Sequence, residues 1–149
     1  MQTACTLPGG GVTLGGMVPL YPFTFSGLGP NQAYSPYSFA RAPDAVIVNL
    51  GTNCCVEEDK YASFASSIVN TYYNNTNVTL FLAYGPMTAS YEAVVVGVVA
   101  NLTAGGLKAH VLDLTLNHSM TGCFGHPSAA DDIEIAAKGS TQIAAVMGW

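Results

Sequence analysis

Two short stretches of this chain carry side chains suited to acyl chemistry. Gly51-Thr52-Asn53-Cys54-Cys55 sets a side-chain amide beside a flexible glycine, and an asparagine amide facing a cleft can donate a hydrogen bond to an oxyanion. Thr121-Gly122-Cys123-Phe124-Gly125-His126-Pro127-Ser128 places a histidine directly before a proline. With an ordinary pKa of about 6.5 an imidazole takes and returns a proton at neutral pH, and the proline fixes the backbone where a helix starts; His126 is a candidate general base. Each stretch also has a plainer reading. Gly-Thr-Asn fits a tight turn capped by asparagine, and a single histidine fits a surface or satisfied core position. No Cys-x-x-Cys pair or histidine cluster has metal-ligand spacing, so neither a metal nor a cofactor is expected. His110 falls in an apolar run and His118 in a loop, and both are read as non-catalytic.

Positioning these side chains takes a sheet. Three short apolar or β-branched runs, 45–50, 78–83 and 109–114, are each followed by a longer segment and read as buried strands. Tyr61, Phe64, Ala65, Ile68, Val69 and Tyr72 recur at steps of three and four, as do Tyr91, Val94, Val95, Val98, Val99 and Leu102, which predicts two amphipathic helices between the strands. Glu57, Glu58 and Asp59 favour the positive end of the first, and Gly105-Gly106 stops the second. A third helix is predicted over 129–147, with Ile133, Ala136, Ala137, Ile143, Ala144 and Met147 sharing a face and Gly139 weakening the middle. The order β-α-β-α-β-α implies parallel strands joined by right-handed crossovers, an α/β fold. Its functional loops leave the carboxyl ends of the strands, at 51–57, 85–90 and 115–128, and both stretches singled out above lie there.

The first 43 residues differ in kind. Gly9-Gly10-Gly11, Gly15-Gly16, six prolines and three tyrosines with almost no charge read as one long ordered loop, functional or lacking something upstream. The whole chain, 149 residues, suits a single domain; it is 50% apolar and only 9% charged, against roughly 25% in ordinary soluble proteins, which excludes disorder. A net charge of −5 argues against a nucleic-acid partner. The longest nearly unbroken apolar stretch, 93–102, is about half of the ~20 residues a membrane span needs. Met1-Gln2-Thr3-Ala4-Cys5 lacks the basic opening and apolar run of a secretory leader, yet Asn-x-Ser/Thr sequons stand at Asn74, Asn77, Asn101 and Asn117 beside four cysteines. A secreted chain whose start is not the true one is expected.

Pro43-Asp44-Ala45-Val46-Ile47-Val48-Asn49-Leu50-Gly51-Thr52-Asn53 resembles the third conserved block of SGNH, or GDSL-type, hydrolases, and Gly122-Cys123-Phe124-Gly125-His126-Pro127-Ser128 resembles their last block. More narrowly, Ala83-Tyr84-Gly85-Pro86-Met87, the Gly-Cys-x-x-His-Pro-Ser form of the last block and the terminal Met147-Gly148-Trp149 are similar to the catalytic domain of family 2 carbohydrate esterases. The resemblance runs from about residue 35 to the end. It implies a three-layer α/β/α sandwich on a parallel, flavodoxin-like sheet of five strands. The reaction it implies is ester hydrolysis, typically deacetylation of plant polysaccharides, by a serine nucleophile with a histidine base and an oxyanion hole of a glycine amide and an asparagine side chain.

Carried over position by position, Asn53 is the oxyanion asparagine and His126 the base. Met17-Val18-Pro19-Leu20-Tyr21 matches the stretch that follows the oxyanion glycine in such esterases, which points to Gly9 or Gly10, with residues 2–6 the stub of the preceding strand. The sequence departs from the family in three places. The Gly-Asp-Ser nucleophile block is absent; the aspartate usual three residues before the histidine is Cys123, leaving a backbone carbonyl to hold the ring; and the aspartate after Gly-Thr-Asn is Cys54. Cys123 can pair with Cys54 or Cys55 or remain a thiol. In the family's strand order the missing first strand is central, so the strand at 45–50 is expected to expose an apolar edge open to association with another chain. The expected partner is otherwise a small-molecule or polysaccharide ester; the alternative reading is an inactive, carbohydrate-binding relative or a gene fragment.

Overall fold

The computed structural model describes residues 18, 21–24, 35–52 and 56–149. Two short strands, β1 (Phe23–Thr24) and β2 (Ser35–Pro36), pair antiparallel inside the segment expected to be loop throughout. Three longer strands follow, β3 (Ala45–Asn49), β4 (Thr79–Tyr84) and β5 (Ala109–Asp113), parallel and in the order β3-β4-β5. The helices are α1 (Glu58–Ser67), which runs on into a π-helical turn at Ile68–Tyr72, α2 (Glu92–Ala104) and α3 (Ala129–Met147). These are the strands and helices that the apolar runs and periodicities predict, to within a residue or two at most ends.

The middle strand explains the layering. Leu80, Phe81, Leu82 and Ala83 of β4 are all buried, as a continuous apolar run must be when both faces of a parallel sheet are covered. Leu80 and Leu82 face α1 and α2, packing with Tyr61, Phe64, Ile68, Val95 and Val98. Phe81, Ala83 and Leu112 face the other way, toward Ile143 and Met147 of α3. Removing one such leucine from water contributes about 1.5–3 kcal/mol. The buried Tyr61 hydroxyl donates to the Val48 carbonyl at 3.1 Å, tying α1 to β3, and its burial pushes the phenol's pKa up. At the pole where the strands begin, Tyr21 and Phe39 pack with Tyr72 of the π turn at ring separations of 4.9–5.7 Å, which anchors the segment before β3.

The third helix corrects the predicted face. Ile143 and Met147 meet the sheet, but Ala136 and Ala137 are exposed and Ile133 is 73% exposed. The packed side is instead largely polar. The Gln142 side chain donates to the Asp113 carbonyl at 2.8 Å and accepts from the Asp113 amide at 3.1 Å, while the Lys138 ammonium donates to Asp113 Oδ2 at 2.8 Å and to the Thr115 carbonyl at 2.6 Å. Gly139 is buried, and a Cβ there would lie 3.2 Å from Leu114 Cδ2, so the helix packs closely at this point on the chain leaving β5.

Among the described strands β3 pairs only with β4, and Ile47 on it is 53% exposed, so the expected apolar edge is present. The carboxyl ends of the strands meet at Gly85. Asn49 Nδ2 donates to its carbonyl at 2.9 Å, its φ is +84°, and a Cβ would stand 2.8 Å from the Thr115 amide nitrogen. Gly85→Ala is therefore expected to lower stability by about 2 kcal/mol or more, read as the urea midpoint of unfolding; an unchanged midpoint contradicts this packing.

Candidate active site

The loop that carries His126 is closed by its own backbone. The Gly122 amide donates to the His126 carbonyl at 3.0 Å, and the His126 amide donates back to the Cys123 carbonyl at 3.1 Å. Only glycine fits at 122, because a Cβ would lie 2.6 Å from the His126 carbonyl oxygen. Between them Cys123–Gly125 forms one 3₁₀ turn in which Phe124 adopts φ +56°, a left-handed conformation that costs a bulky residue roughly 1–2 kcal/mol. Phe124 is 99% exposed, so its strain is held by the backbone pattern and not by burial of the ring.

That closure orients the imidazole. His126 Nδ1 stands 3.2 Å from the Cys123 carbonyl oxygen. A carbonyl only accepts, so Nδ1 carries the hydrogen, and in the neutral ring Nε2 is left with a lone pair able to take a proton. The residue standing where the family has an aspartate thus holds the ring through its main chain. The Cys123 side chain is exposed and its thiol is free; the partners considered for it above, Cys54 and Cys55, lie outside the described residues. Asn53, Gly9 and Gly10, together with Cys5, Cys54, Cys55 and residues 2–6, lie outside the described residues.

A residue absent from the sequence reading fixes both ends of the loop. Asp131, in the first turn of α3, is 2% exposed. Its Oδ2 accepts from the Ser128 amide at 2.7 Å, the Thr121 amide at 2.9 Å and the Thr121 hydroxyl at 2.8 Å, and its Oδ1 stands 2.9 Å from His118 Nε2. Ser128 Oγ accepts in return from the Asp131 amide at 3.3 Å, completing a capping box. The spacing Ser128-x-x-Asp131 was the available signal. Two amides, a hydroxyl and an imidazole all stabilise the charged carboxylate, so its pKa falls well below the usual range, led by the Ser128 amide. Chiefly through its hydrogen bond to Asp131, with Glu134 adding to the field, the His118 pKa is raised. Nearby, partial burial of Asp113 is outweighed by hydrogen bonds from Lys138 and Thr115, which lower its pKa.

His118 therefore contacts the loop's anchor and not His126. Two surface grooves, about 430 and 660 Å³, lie along α1 and contain none of these residues. Among the described residues no group of three His, Cys, Asp or Glu side chains is placed to hold a metal ion, and no helix is long and apolar enough to cross a membrane.

Solved structures share this architecture. A family 2 carbohydrate esterase with a carbohydrate binding domain, from Corynascus thermopiles (Myceliophthora fergusii), is similar with a TM-score of 0.70 and 28% identity, covering 99% of this chain and 49% of that one. The chain's likeness is to the family 2 carbohydrate esterases. A carbohydrate esterase whose active site displays divergent catalytic and non-catalytic binding functions is 26% identical, with a TM-score of 0.61 over 85% of this chain and 45% of that one. An acetyl xylan esterase from the rumen bacterium Butyrivibrio proteoclasticus gives 0.63 at 20% identity, over 78% of this chain and 41% of its own, and supports the fold alone. The chain spans about half the length of the first of these esterases, and less of the other two. No protein-family model and no curated protein matches it.

In this carbohydrate-esterase fold the loop's anchoring has a pH signature. The His118 contact contributes fully below about pH 6.5 and is lost as pH rises through the raised pKa; the Asp131 contribution holds above about pH 4 and is lost only on acidification through its lowered value. The His118 ring, followed by NMR, is expected to titrate above 6.5 in the native chain and to return toward 6.5 in Asp131→Asn. A native midpoint at or below 6.5 contradicts the pairing.

Proposed function

We propose that the chain supplies the base and the oxyanion donors of a carboxylic-ester hydrolase that deacylates carbohydrates, acetyl esters above all, outside the cell. His126 Nε2 removes the proton from a serine hydroxyl as its oxygen bonds to the acyl carbon. Asn53 and the amide of Gly9 or Gly10 donate hydrogen bonds to the oxyanion. As the C–O bond to the sugar breaks, His126 returns the proton to the leaving hydroxyl, and water then releases the acyl group by the same two steps in reverse roles. The serine is assigned to sequence outside these 149 residues, since no Gly-Asp-Ser block is present and no described hydroxyl is hydrogen-bonded to His126.

The observation that carries the reading is the Nδ1 contact to the Cys123 carbonyl, because it supports the tautomer that, in the neutral ring, leaves the lone pair on Nε2 without a carboxylate to orient it. The likeness to carbohydrate esterases supports the substrate class. A second reading, carbohydrate binding without hydrolysis, is favoured by the absence of a hydroxyl at His126 among the described residues.

Acetate release from acetylated xylan and from an aryl acetate separates them, measured on the protein made from its whole coding region beside His126→Ala. Hydrolysis that falls by about 10³-fold or more in a folded His126→Ala variant is the expected result. A folded variant that keeps its rate contradicts the assignment of the base, and an inactive protein that retains acetylated xylan selects the binding reading. Activity of the 149-residue chain by itself contradicts the placement of the serine.

A further inference from the structure

Four of the nine asparagines in the chain stand two residues before a serine or threonine. Ser and Thr together make up 23 of the 149 residues, a frequency at which chance gives about one or two such sequons. All four asparagines are exposed. Three of them gather at one pole of the sheet, the end where the strands begin. Asn74 and Asn77 lie in the turn entering β4, and Asn101 lies in the last turns of α2, which runs back to the same end. Thr76 and Asn101 line the same groove, and Lys108, just before β5, donates to Asn77 Oδ1 at 3.3 Å. His126 and its loop follow β5 at the opposite pole.

The local structure holds these asparagines outward. In Asn77-Val78-Thr79 and Asn101-Leu102-Thr103 the middle residue is core, so each asparagine is fixed on the surface beside an anchor. Asn74 has φ +46°, a conformation asparagine tolerates better than most residues, and this turn alone is reason enough for its identity. The same cannot be said of Asn101, on an exposed helix face where asparagine has poor propensity and no side-chain hydrogen bond is formed among the described residues.

We propose that the strand-start pole carries N-linked glycans, at Asn101 and at the Asn74–Asn77 pair. The proposal rests on the extracellular placement in the reading above and extends it to a modification that reading does not need. The side-chain amide nitrogen forms a bond to the anomeric carbon of a lipid-diphosphate oligosaccharide, the bond from that carbon to phosphate breaks, the lipid diphosphate leaves, and the amide loses one proton to a base. Transfer precedes folding, so the later burial of Thr79 is no obstacle; the folded chain need only leave room at the asparagine, and it does. Glycans there hydrate a surface with few charges and leave the loops at the far pole open to a polymeric substrate.

The test is the mass of the chain secreted from a eukaryotic host, before and after peptide N-glycosidase, with the peptides mapped for asparagine converted to aspartate. A drop in mass with conversion at Asn101 and at Asn74 or Asn77 is expected, and Asn101→Gln should remove one glycan. An unchanged mass, or conversion confined to Asn117 beside the candidate site, overturns the proposal. No ester is involved in this measurement, so its failure is distinct from failure of the hydrolase reading.

Discussion

The carboxylate of Asp131 is the constraint on which the candidate site depends. It is buried at the start of α3, and a buried charge is tolerated only where hydrogen bonds replace the lost water. Those bonds come from Thr121 and Ser128, the two ends of the loop that bears His126, so satisfying the charge and shaping the loop are the same event. Inside that frame the Gly122–His126 pairing and the left-handed Phe124 bring the Cys123 carbonyl to the imidazole. The carboxylate acts on the histidine through the backbone, and it does so from five residues after it in sequence instead of from three before.

The helix that carries Asp131 is held in turn by polar contacts to the end of β5. Gln142 takes up both main-chain groups of Asp113, and Lys138 joins Asp113 to Thr115. Apolar contact on that face is limited to a small cluster around Phe81, Ala83 and Leu112, whereas the opposite face holds most of the core. The chain is thus built with a firm apolar side at α1 and α2 and a side at α3 whose alignment is set by hydrogen bonds. Such bonds are directional, which suits an element that must place a functional loop.

This division explains what could be read from sequence. The runs at 45–50, 78–83 and 109–114 announce buried parallel strands because nothing polar interrupts them, and the spacing from Tyr61 to Tyr72 and from Tyr91 to Leu102 announces helices that pack by apolar contact. The same rule misassigned α3, where Ile133, Ala136 and Ala137 face outward and Lys138 and Gln142 face the sheet. Apolar periodicity cannot register a packed face made of side chains that pair with a distant strand end. The π turn at Ile68–Tyr72 was likewise hidden within a helical pattern. The histidine loop was legible from its residue types, and the carbonyl that holds its ring was anticipated from the loss of the aspartate at 123. Asp131 was not, because its partners become neighbours only when α3 docks.

The central claim is that the loop fixes the tautomer of His126, with the hydrogen on Nδ1 and, in the neutral ring, the lone pair on Nε2. Long-range proton–nitrogen correlation spectra of the imidazole, recorded where the ring is neutral, read this directly. The account predicts a protonated Nδ1 and a bare Nε2. A ring that carries its hydrogen on Nε2 would contradict it, since the Cys123 carbonyl would then face a lone pair and the nitrogen assigned to catalysis would have none to offer.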